Sequence, residues 1–355
     1  MIKLLIVDDS ALARKLLGKI FGAEEDFDVR FARSGAEALA EIARDKPDVI
    51  TLDINMPDMD GLACLDRIMI EQPCPVVMVS SLTDEGADLT LEALRRGAVD
   101  YVSKPGRAIS LSIEAMSAQL VEKTRNASHA KLRKSLRLRE RVRHSIGTGW
   151  PLPDARPGTL PAPKQGHGLV LAGTSTGGPP ALEALLTPLP ADFPWPILVA
   201  QHMPASFTGP LARRLNQLCA LTILEVTSPT LIAPGFVYIG HGDADIIVER
   251  HAEGLVVRPV ASLAGYPWHP SADRLLRSAM EVLAPEYLLG VLMTGMGNDG
   301  AAAMATLHKA GGRTIAESEE TAVVWGMPGE LVKAGGASLV LPLNDIAPRL
   351  RKLLA

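Results

Sequence analysis

Cysteine is scarce in this chain of 355 residues: Cys64, Cys74 and Cys219 are the whole set, they lie far apart, and none forms a CxxC pair. So sparse and odd-numbered a set argues against a disulfide framework or a thiolate metal centre, and the thiols read as reduced core filler. Long apolar runs are missing too. Glycine and proline interrupt every candidate, as at Gly173 and Pro179, so no stretch reaches membrane-spanning length and no membrane insertion is expected. Neither charge sign dominates: 36 Lys and Arg stand against 40 Asp and Glu, a formal net charge of -4. That removes any global attraction to nucleic acid or an anionic membrane. Met1-Ile-Lys-Leu-Leu-Ile-Val-Asp-Asp9 turns acidic too early for a secretory signal, and no internal repeat is visible. The expectation is a cytoplasmic protein long enough for two domains, with 47% hydrophobic residues to fill their cores.

What is present is alternation. Up to about Pro105, short apolar runs (Lys3–Val7, Val29–Ala32, Val49–Leu52, Val76–Val79, Tyr101–Val102) are separated by segments with helical spacing such as Ala36–Ala43. Five such units predict a small parallel sheet with helices on both faces. Leu111–Val121 continues as a helix, Lys123 to Arg143 holds Glu140 as its only carboxylate, and Trp150–Gly166 is rich in proline and glycine. The basic run lacks interleaved aromatics and reads as a solvated face beside an extended connector, so nucleic-acid binding is set aside. From Gly168 the alternation resumes. Strands are expected at Leu169–Ala172, Ile197–Ala200, Val237–Ile239, Leu288–Met293 and Ser338–Leu341, and helices at Pro180–Leu186, Phe207–Leu218, Ala272–Val282 and Ala301–Ala310. The fold class is therefore α/β, with two doubly wound parallel-sheet domains: residues 1–106 and 166–355, joined by a segment 107–165 that is helical and basic, then proline-rich.

In an open parallel sheet, ligands bind outside the carboxyl ends of the strands, near the point where strand order reverses. Asp8 and Asp9 follow the first predicted strand, Asp53 the third, Ser80 the fourth and Lys104 the fifth. Carboxylates clustered there repel one another unless a cation joins them, and oxygen ligands with open positions suit Mg2+. An aspartate beside that ion is a plausible phosphoryl acceptor, with Lys104 helping to neutralise the transferred group. One such acid alone would more simply cap the next helix, as Asp9 or Ser10 could; five positions in register make that account insufficient.

Ile6-Val-Asp-Asp-Ser10, Leu52-Asp-Ile-Asn-Met-Pro57 with Asp60-Gly61, Val79-Ser-Ser81 and Tyr101-Val-Ser-Lys-Pro105 resemble a response-regulator receiver domain, flavodoxin-like in fold. The resemblance implies Asp53 as phosphoacceptor and Asp8 and Asp9 as Mg2+ acids, with Asn55 contributing its backbone carbonyl. Ser80, Tyr101 and Lys104 would form the switch, and a histidine kinase would be the phosphodonor.

In the second domain, Gly173-Thr-Ser-Thr-Gly-Gly178 makes a tight turn between a strand and a helix opened by Pro179 and Pro180. A serine there lies near a helix N-terminus, which favours developing negative charge. The motif lacks the GK[ST] ending of a P-loop, and Thr176 separates Ser175 from Gly177, unlike the G-x-S-x-G elbow. A serine nucleophile needs a base. Two of the eight histidines end apolar runs, His202 and His241, and the presence of Ser175 and Asp299 at equivalent strand ends favours His202. Asp299 itself lies in Thr294-Gly-Met-Gly-Asn-Asp-Gly300, which can be read in two ways. By letters it is a GxGxxG dinucleotide fingerprint, with Glu317 or Glu319 as the ribose acid; by chemistry it holds a carboxylate that bonds the histidine Nδ1–H and fixes its tautomer. The fingerprint normally opens a domain, and little chain follows Gly300.

Gly173–Gly178, Gln201-His-Met-Pro204, Thr294–Gly300 and Thr321-Ala-Val-Val-Trp-Gly-Met-Pro328 resemble the catalytic domain of the chemotaxis protein-glutamate methylesterases, Rossmann-like in fold. Receiver, connector and catalytic domain match that family's architecture over almost the whole chain. The resemblance implies Ser175 as nucleophile, His202 as base and acid, Asp299 as orienting acid and the Met296 backbone N–H as oxyanion donor. It further implies methylated chemoreceptor-like proteins as substrates, glutamine deamidation as a second activity, no cofactor in the catalytic domain, and a receiver that covers the cleft until Asp53 is modified. Where the family tends to read His-Arg-Pro-Ser-x-Asp, this chain has Trp268-His-Pro-Ser-Ala-Asp273, which bears on rim contacts and substrate preference. Rival classes are a response regulator with a non-catalytic, partner-binding output domain and a dinucleotide-dependent enzyme.

Overall fold

The computed structural model describes residues 1–80, 84–103, 110–130, 132 and 168–354. Lys104 and most of segment 107–165 lie outside the described residues. Contacts divide the chain into two units, Met1–Leu152 and Pro153–Ala355. Among the described residues no helix is long and apolar enough to cross a membrane.

In the first unit, β1 (Ile2–Val7), β2 (Phe27–Ala32), β3 (Val49–Asp53), β4 (Val76–Ser80) and β5 (Asp100–Ser103) alternate with α1 (Ala11–Phe21), α2 (Gly35–Arg44), α3 (Gly61–Glu71), α4 (Asp84–Arg96) and α5 (Ser110–Ser128). The sheet is parallel throughout, in the order β2-β1-β3-β4-β5. Strand order therefore reverses between β1 and β3, which opens a crevice at their carboxyl ends. β3 and β4 are buried at every residue, as helices on both faces require, whereas edge strand β2 is buried only at its ends, Phe27 and Ala32. Capping residues set the helix starts. Ser10, Ser34 and Asp60 accept from the backbone N–H of Ala13, Glu37 and Ala63. The capping account of the strand-end residues thus holds for Ser10.

Helix α5 runs further than the Leu111–Val121 pattern suggested and packs on β3, β4 and β5. Two cations of the basic run are engaged there. Lys123 donates to Asp100 and to the Tyr101 carbonyl, and Arg125 pairs with Asp26 and Glu24. The hydrogen bond from Arg125, aided by its charge, outweighs desolvation and holds the Asp26 carboxyl below its ordinary value.

The second unit is built on seven parallel strands in the order β15-β14-β13-β6-β7-β10-β8. They are β6 (Leu169–Thr174), β7 (Ile197–Gln201), β8 (Thr222–Val226), β10 (Phe236–Gly240), β13 (Leu288–Leu292), β14 (Arg313–Glu317) and β15 (Leu339–Leu341). The helices are α6 (Gly178–Leu186), α7 (Ala205–Leu218), α8 (Ala272–Val282), α9 (Ala301–Lys309), α10 (Met327–Lys333) and α11 (Leu343–Leu354). Central strands β6, β7, β10 and β13 are wholly buried. The order reverses between β13 and β6, so the carboxyl ends of β13, β6 and β7 frame the crevice.

A three-stranded antiparallel sheet of β9 (Thr230–Leu231), β11 (Ala244–His251) and β12 (Gly254–Ala261) adds to the two parallel ones. Its strands escaped the sequence pattern because polar residues interrupt the apolar run: β11 carries Asp245, Glu249, Arg250 and His251 among its apolar residues. Helix α8 packs on β11, and Ser278 Oγ accepts from the Val248 N–H.

Candidate active site and acidic pocket

Register decides what meets at the crevice of the second unit. Thr174 pairs with Gln201 across β6 and β7, so the next residues, Ser175 and His202, lie at neighbouring strand ends. His202 N–H donates to the Thr174 carbonyl at 3.1 Å, and Gln201 Nε2 donates to the Ser175 carbonyl at 3.0 Å. The serine turn needs glycine at Gly177, with φ +76, and at Gly178, where a Cβ would overlap the Gln201 side chain.

Asp299 reaches the same place from the loop after β13. Its Oδ2 lies 2.9 Å from His202 Nε2, with the side chains 3% and 8% exposed. The rest of the carboxylate caps α8: Oδ2 accepts from the Ala272 N–H at 2.6 Å, and Oδ1 accepts from Ser271 Oγ at 2.9 Å and the Asp273 N–H at 3.1 Å. Burial alone would push the Asp299 carboxyl up. The hydrogen bond and charge of His202, with the N–H groups of Asp273 and Ala272, outweigh it and hold the pKa below its ordinary value. Asp273 shows the opposite balance, raised by burial against the lowering bond from Ala303 N–H and with Asp299 nearby. An ionised Asp299 only accepts, so Nε2 is the donor, and in the neutral ring Nδ1 is then the bare nitrogen.

The sequence reading put Asp299 on Nδ1; the structure puts it on Nε2. Asp299 arrives with the α8 N-terminus on the far side of the ring, where Nε2 points. Nδ1, the nitrogen nearer the backbone, makes no hydrogen bond among the described residues, to Ser175 or to any other. His241 goes elsewhere: its Nδ1 lies 2.8 Å from Glu225, which also accepts from Thr208.

Each glycine of the apparent fingerprint has a local reason. A Cβ on Gly295 would come within 2.7 Å of Ser175 Cβ, and one on Gly297 within 2.6 Å of Trp268 Cζ2. Gly300 caps α9 with φ +83 beside Ala272 and Leu292. Glu317, offered as a ribose acid, is fully buried, accepting from the Thr294 N–H and Thr321 Oγ1. The dinucleotide reading gives way to these contacts. Met296 is half-buried and follows the glycine that meets Ser175.

Sequence reasoning missed the supporting residues. Thr294 Oγ1 donates to the Thr176 carbonyl and accepts from the Val324 N–H, tying the serine turn to the 321–328 segment. Asp245, fully buried, accepts from the Ser271 N–H and from Arg274, and lies 2.9 Å from His269 Nδ1. Ser271 before Ala-Asp273 is an N-cap signature and was the one legible signal among them.

Comparison with known proteins places both units in families. Residues 170–350 match the family model described as CheB methylesterase, and residues 4–114 the response regulator receiver domain. A protein of Rhodopseudomonas palustris, named protein-glutamate methylesterase/protein-glutamine glutaminase 2, is 54% identical over 98% of this chain and 96% of its own length. The chain belongs to the CheB methylesterase family. A Rhodospirillum rubrum relative, protein-glutamate methylesterase/protein-glutamine glutaminase 3, is 51% identical over 99% of this CheB-family chain and 95% of its own. The crystal structure of the Thermotoga maritima CheB methylesterase catalytic domain superposes with a TM-score of 0.51 at 37% identity, covering 54% of this chain and all of that one.

The receiver unit of this CheB-family member carries a second cluster. Carboxylate oxygens of Asp8, Asp9 and Asp53 lie within 4.8 Å of one another at the β1 and β3 ends. Asp8 and Asp53 are 1% exposed, and Asp9 is exposed. Arg14 Nη1 donates to the carbonyls of Asp8 and Asp9 and fixes their turn. Asn55 donates its N–H to Asp53 Oδ1 at 3.3 Å, while Gly61 lets the loop fold back on the Asp53 carbonyl. Ser80 is buried and its hydroxyl donates to the Gly86 carbonyl. Tyr101 is turned inward, with Lys123 Nζ 4.8 Å from its ring centre. Three hard oxygen donors with room on one side fit a Mg2+ ion.

Proposed function

We propose that this chain hydrolyses glutamate γ-methyl esters on chemoreceptor-like proteins, releasing methanol, and deamidates glutamine side chains by the same route. The observation that carries the reading is the buried His202–Asp299 bond, 2.9 Å long, beside the Ser175 turn. An ionised carboxylate that fixes one imidazole nitrogen as donor makes the other a base and stabilises the imidazolium it becomes.

Ser175 Oγ attacks the ester carbonyl as its proton passes to His202 Nδ1. The oxyanion forms against the Met296 N–H, and the α6 N-terminus favours the same charge. Collapse breaks the C–O bond, and Nδ1 returns the proton to the departing methoxide. Water then attacks the acyl-serine, losing its proton to Nδ1; as the acyl–Oγ bond breaks, Nδ1 returns that proton to Ser175 Oγ and the glutamate side chain is released. With a glutamine substrate ammonia departs instead.

Activity is raised by phosphorylation of Asp53, with a histidine kinase as phosphodonor. Asp8, Asp9 and Asp53, together with the Asn55 carbonyl, would hold Mg2+, which neutralises charge on a phosphoryl group. Asp53 attacks phosphorus as the P–N bond to the kinase phosphohistidine breaks and the imidazole leaves, and Ser80, Tyr101 and Lys104 respond to about -1.5 to -2 units of new charge. We assign the protein to the cytoplasm, where a kinase and the inner ends of receptors are within reach.

Methanol release from methylated receptor preparations tests the reading. Ser175→Ala should lose on the order of 10⁴-fold or more in rate. A non-catalytic output domain would leave variant and wild type alike, and that result refutes the proposal.

A further inference from the structure

Among the described residues, His202 Nδ1 has no hydrogen-bond partner, so the Nε2–Asp299 bond is the ring's one polar tether. An imidazole held at a single nitrogen can still roll about Cβ–Cγ, because that torsion is broad. What faces the ring is Trp268. The two rings are parallel within 8°, with centroids 6.1 Å apart, an offset stack.

The indole is itself seated. Its six-membered ring lies against Gly297, where a Cβ would come within 2.6 Å of Cζ2 and 3.0 Å of Cη2, and whose φ of +81 disfavours any side chain. The next residue, His269, is held at 2.9 Å by the buried Asp245, which Arg274 and the Ser271 N–H also engage. Trp268 thus stands between a glycine seat and a buried carboxylate clamp, with its flat face towards the imidazole. It also lines a cleft of about 470 Å³ with Tyr266, Asp273, Arg277 and Asn298.

We infer that Trp268 is a positioning residue for the hydrolysis, keeping the His202 ring in the plane from which Nδ1 serves Ser175. The inference rests on the esterase reading given above. It separates Trp268 from a mere wall of the substrate cleft, because a positioning residue acts even when nothing fills that cleft.

The test uses the full chain and two probes. A small fluorophosphonate labels an activated serine, Oγ displacing fluoride as the proton passes to the base, and brings no peptide to the cleft. A synthetic peptide carrying a glutamate γ-methyl ester reports kcat and KM. Trp268→Ala should lower both the labelling rate and kcat by roughly 10- to 100-fold, the scale of a misplacement of about 1 Å, with KM changed less than about threefold. Trp268→Phe, which keeps a flat face, should recover most of the loss. Trp268→Leu, which keeps bulk alone, should not, and it serves if the alanine variant folds poorly. Wild-type labelling with a raised KM would make Trp268 a cleft wall only and overturn the inference; so would full activity in the leucine variant. His202→Ala is the separate control: undiminished labelling there would sink the esterase reading itself, whatever Trp268 does.

Discussion

Replacing Asp299 with asparagine removes one charge and one acceptor at a site where every acceptor is used. Oδ2 takes bonds from His202 Nε2 and the Ala272 N–H, Oδ1 from Ser271 Oγ and the Asp273 N–H. An amide has a single oxygen, so its NH2 must face one of these donor pairs in either orientation. Turned towards His202, it draws the imidazole proton onto Nδ1 and removes the base; turned the other way, it meets the α8 N-terminus. Donors left unmatched cost about 1–3 kcal/mol, and the lost anion at a helix N-terminus adds about 0.3–1 kcal/mol. A total of about 1.3–4 kcal/mol corresponds to a drop in Tm on the order of 3–15 °C for a domain of this size. In kcat, the wrong tautomer costs about 10⁴-fold in Ser-His-Asp hydrolases, roughly 5.5 kcal/mol of barrier. The acid limb should change as well. Asp299 is held below its ordinary value of 3.8, so its contribution to stability is complete above that pH and disappears as pH falls through the folded-state pKa. The asparagine variant should lack that part of the acid sensitivity. Methanol release with a methylated receptor, together with urea unfolding across pH 3 to 7 by circular dichroism, reads both effects. A variant within about tenfold of wild-type kcat would refute the tautomer argument.

Thr294→Val keeps the shape but strands the Val324 N–H and removes the bond to the Thr176 carbonyl; the loss should be about 1–3 kcal/mol, visible as a lower urea midpoint. Gly295→Ala should reduce kcat by roughly tenfold or more, since its methyl would displace Ser175, and an unchanged kcat would contradict the close approach. Asp53→Asn, or chelation of divalent ions with EDTA, should abolish stimulation by acetyl phosphate, read as methanol release with and without the phosphodonor. Burial pushes the thiols of Cys64 and Cys74 up to about 12, so the native protein should leave both unreactive to a thiol reagent at pH 8, while the unfolded chain titrates all three.

Central strands were legible because burial on both faces writes them as unbroken apolar runs; β3, β4, β6, β7, β10 and β13 were each expected within a residue or two. Strands whose runs are broken by polar residues were not. β14 begins on Arg313 and ends on Glu317, and β8 carries Thr222 and Glu225, so neither forms an apolar run. The histidine and the acid could be picked from the sequence because chemistry in such sheets gathers at strand ends. Which nitrogen the acid would meet could not, since that depends on the direction from which the α8 N-terminus brings Asp299 in. The sequence marked Trp268 only as a departure bearing on rim contacts, not as a neighbour of His202, for a similar reason. Trp268 belongs to no strand end, and only the folded chain shows its ring over His202.

The crevice at the β13–β6 junction also dates the site's assembly. Thr174 and Thr294, bonded across that junction, are 120 residues apart in sequence. Ser175 and His202 emerge early in synthesis and can pair their strands locally, but Asp299 arrives only after the antiparallel sheet and α8 have been made. Contacts of such separation form slowly, after the entropy of closing the intervening chain has been met. A growing chain therefore carries the serine turn and His202 before Asp299 can reach them, and the three meet last, when β13 closes beside β6.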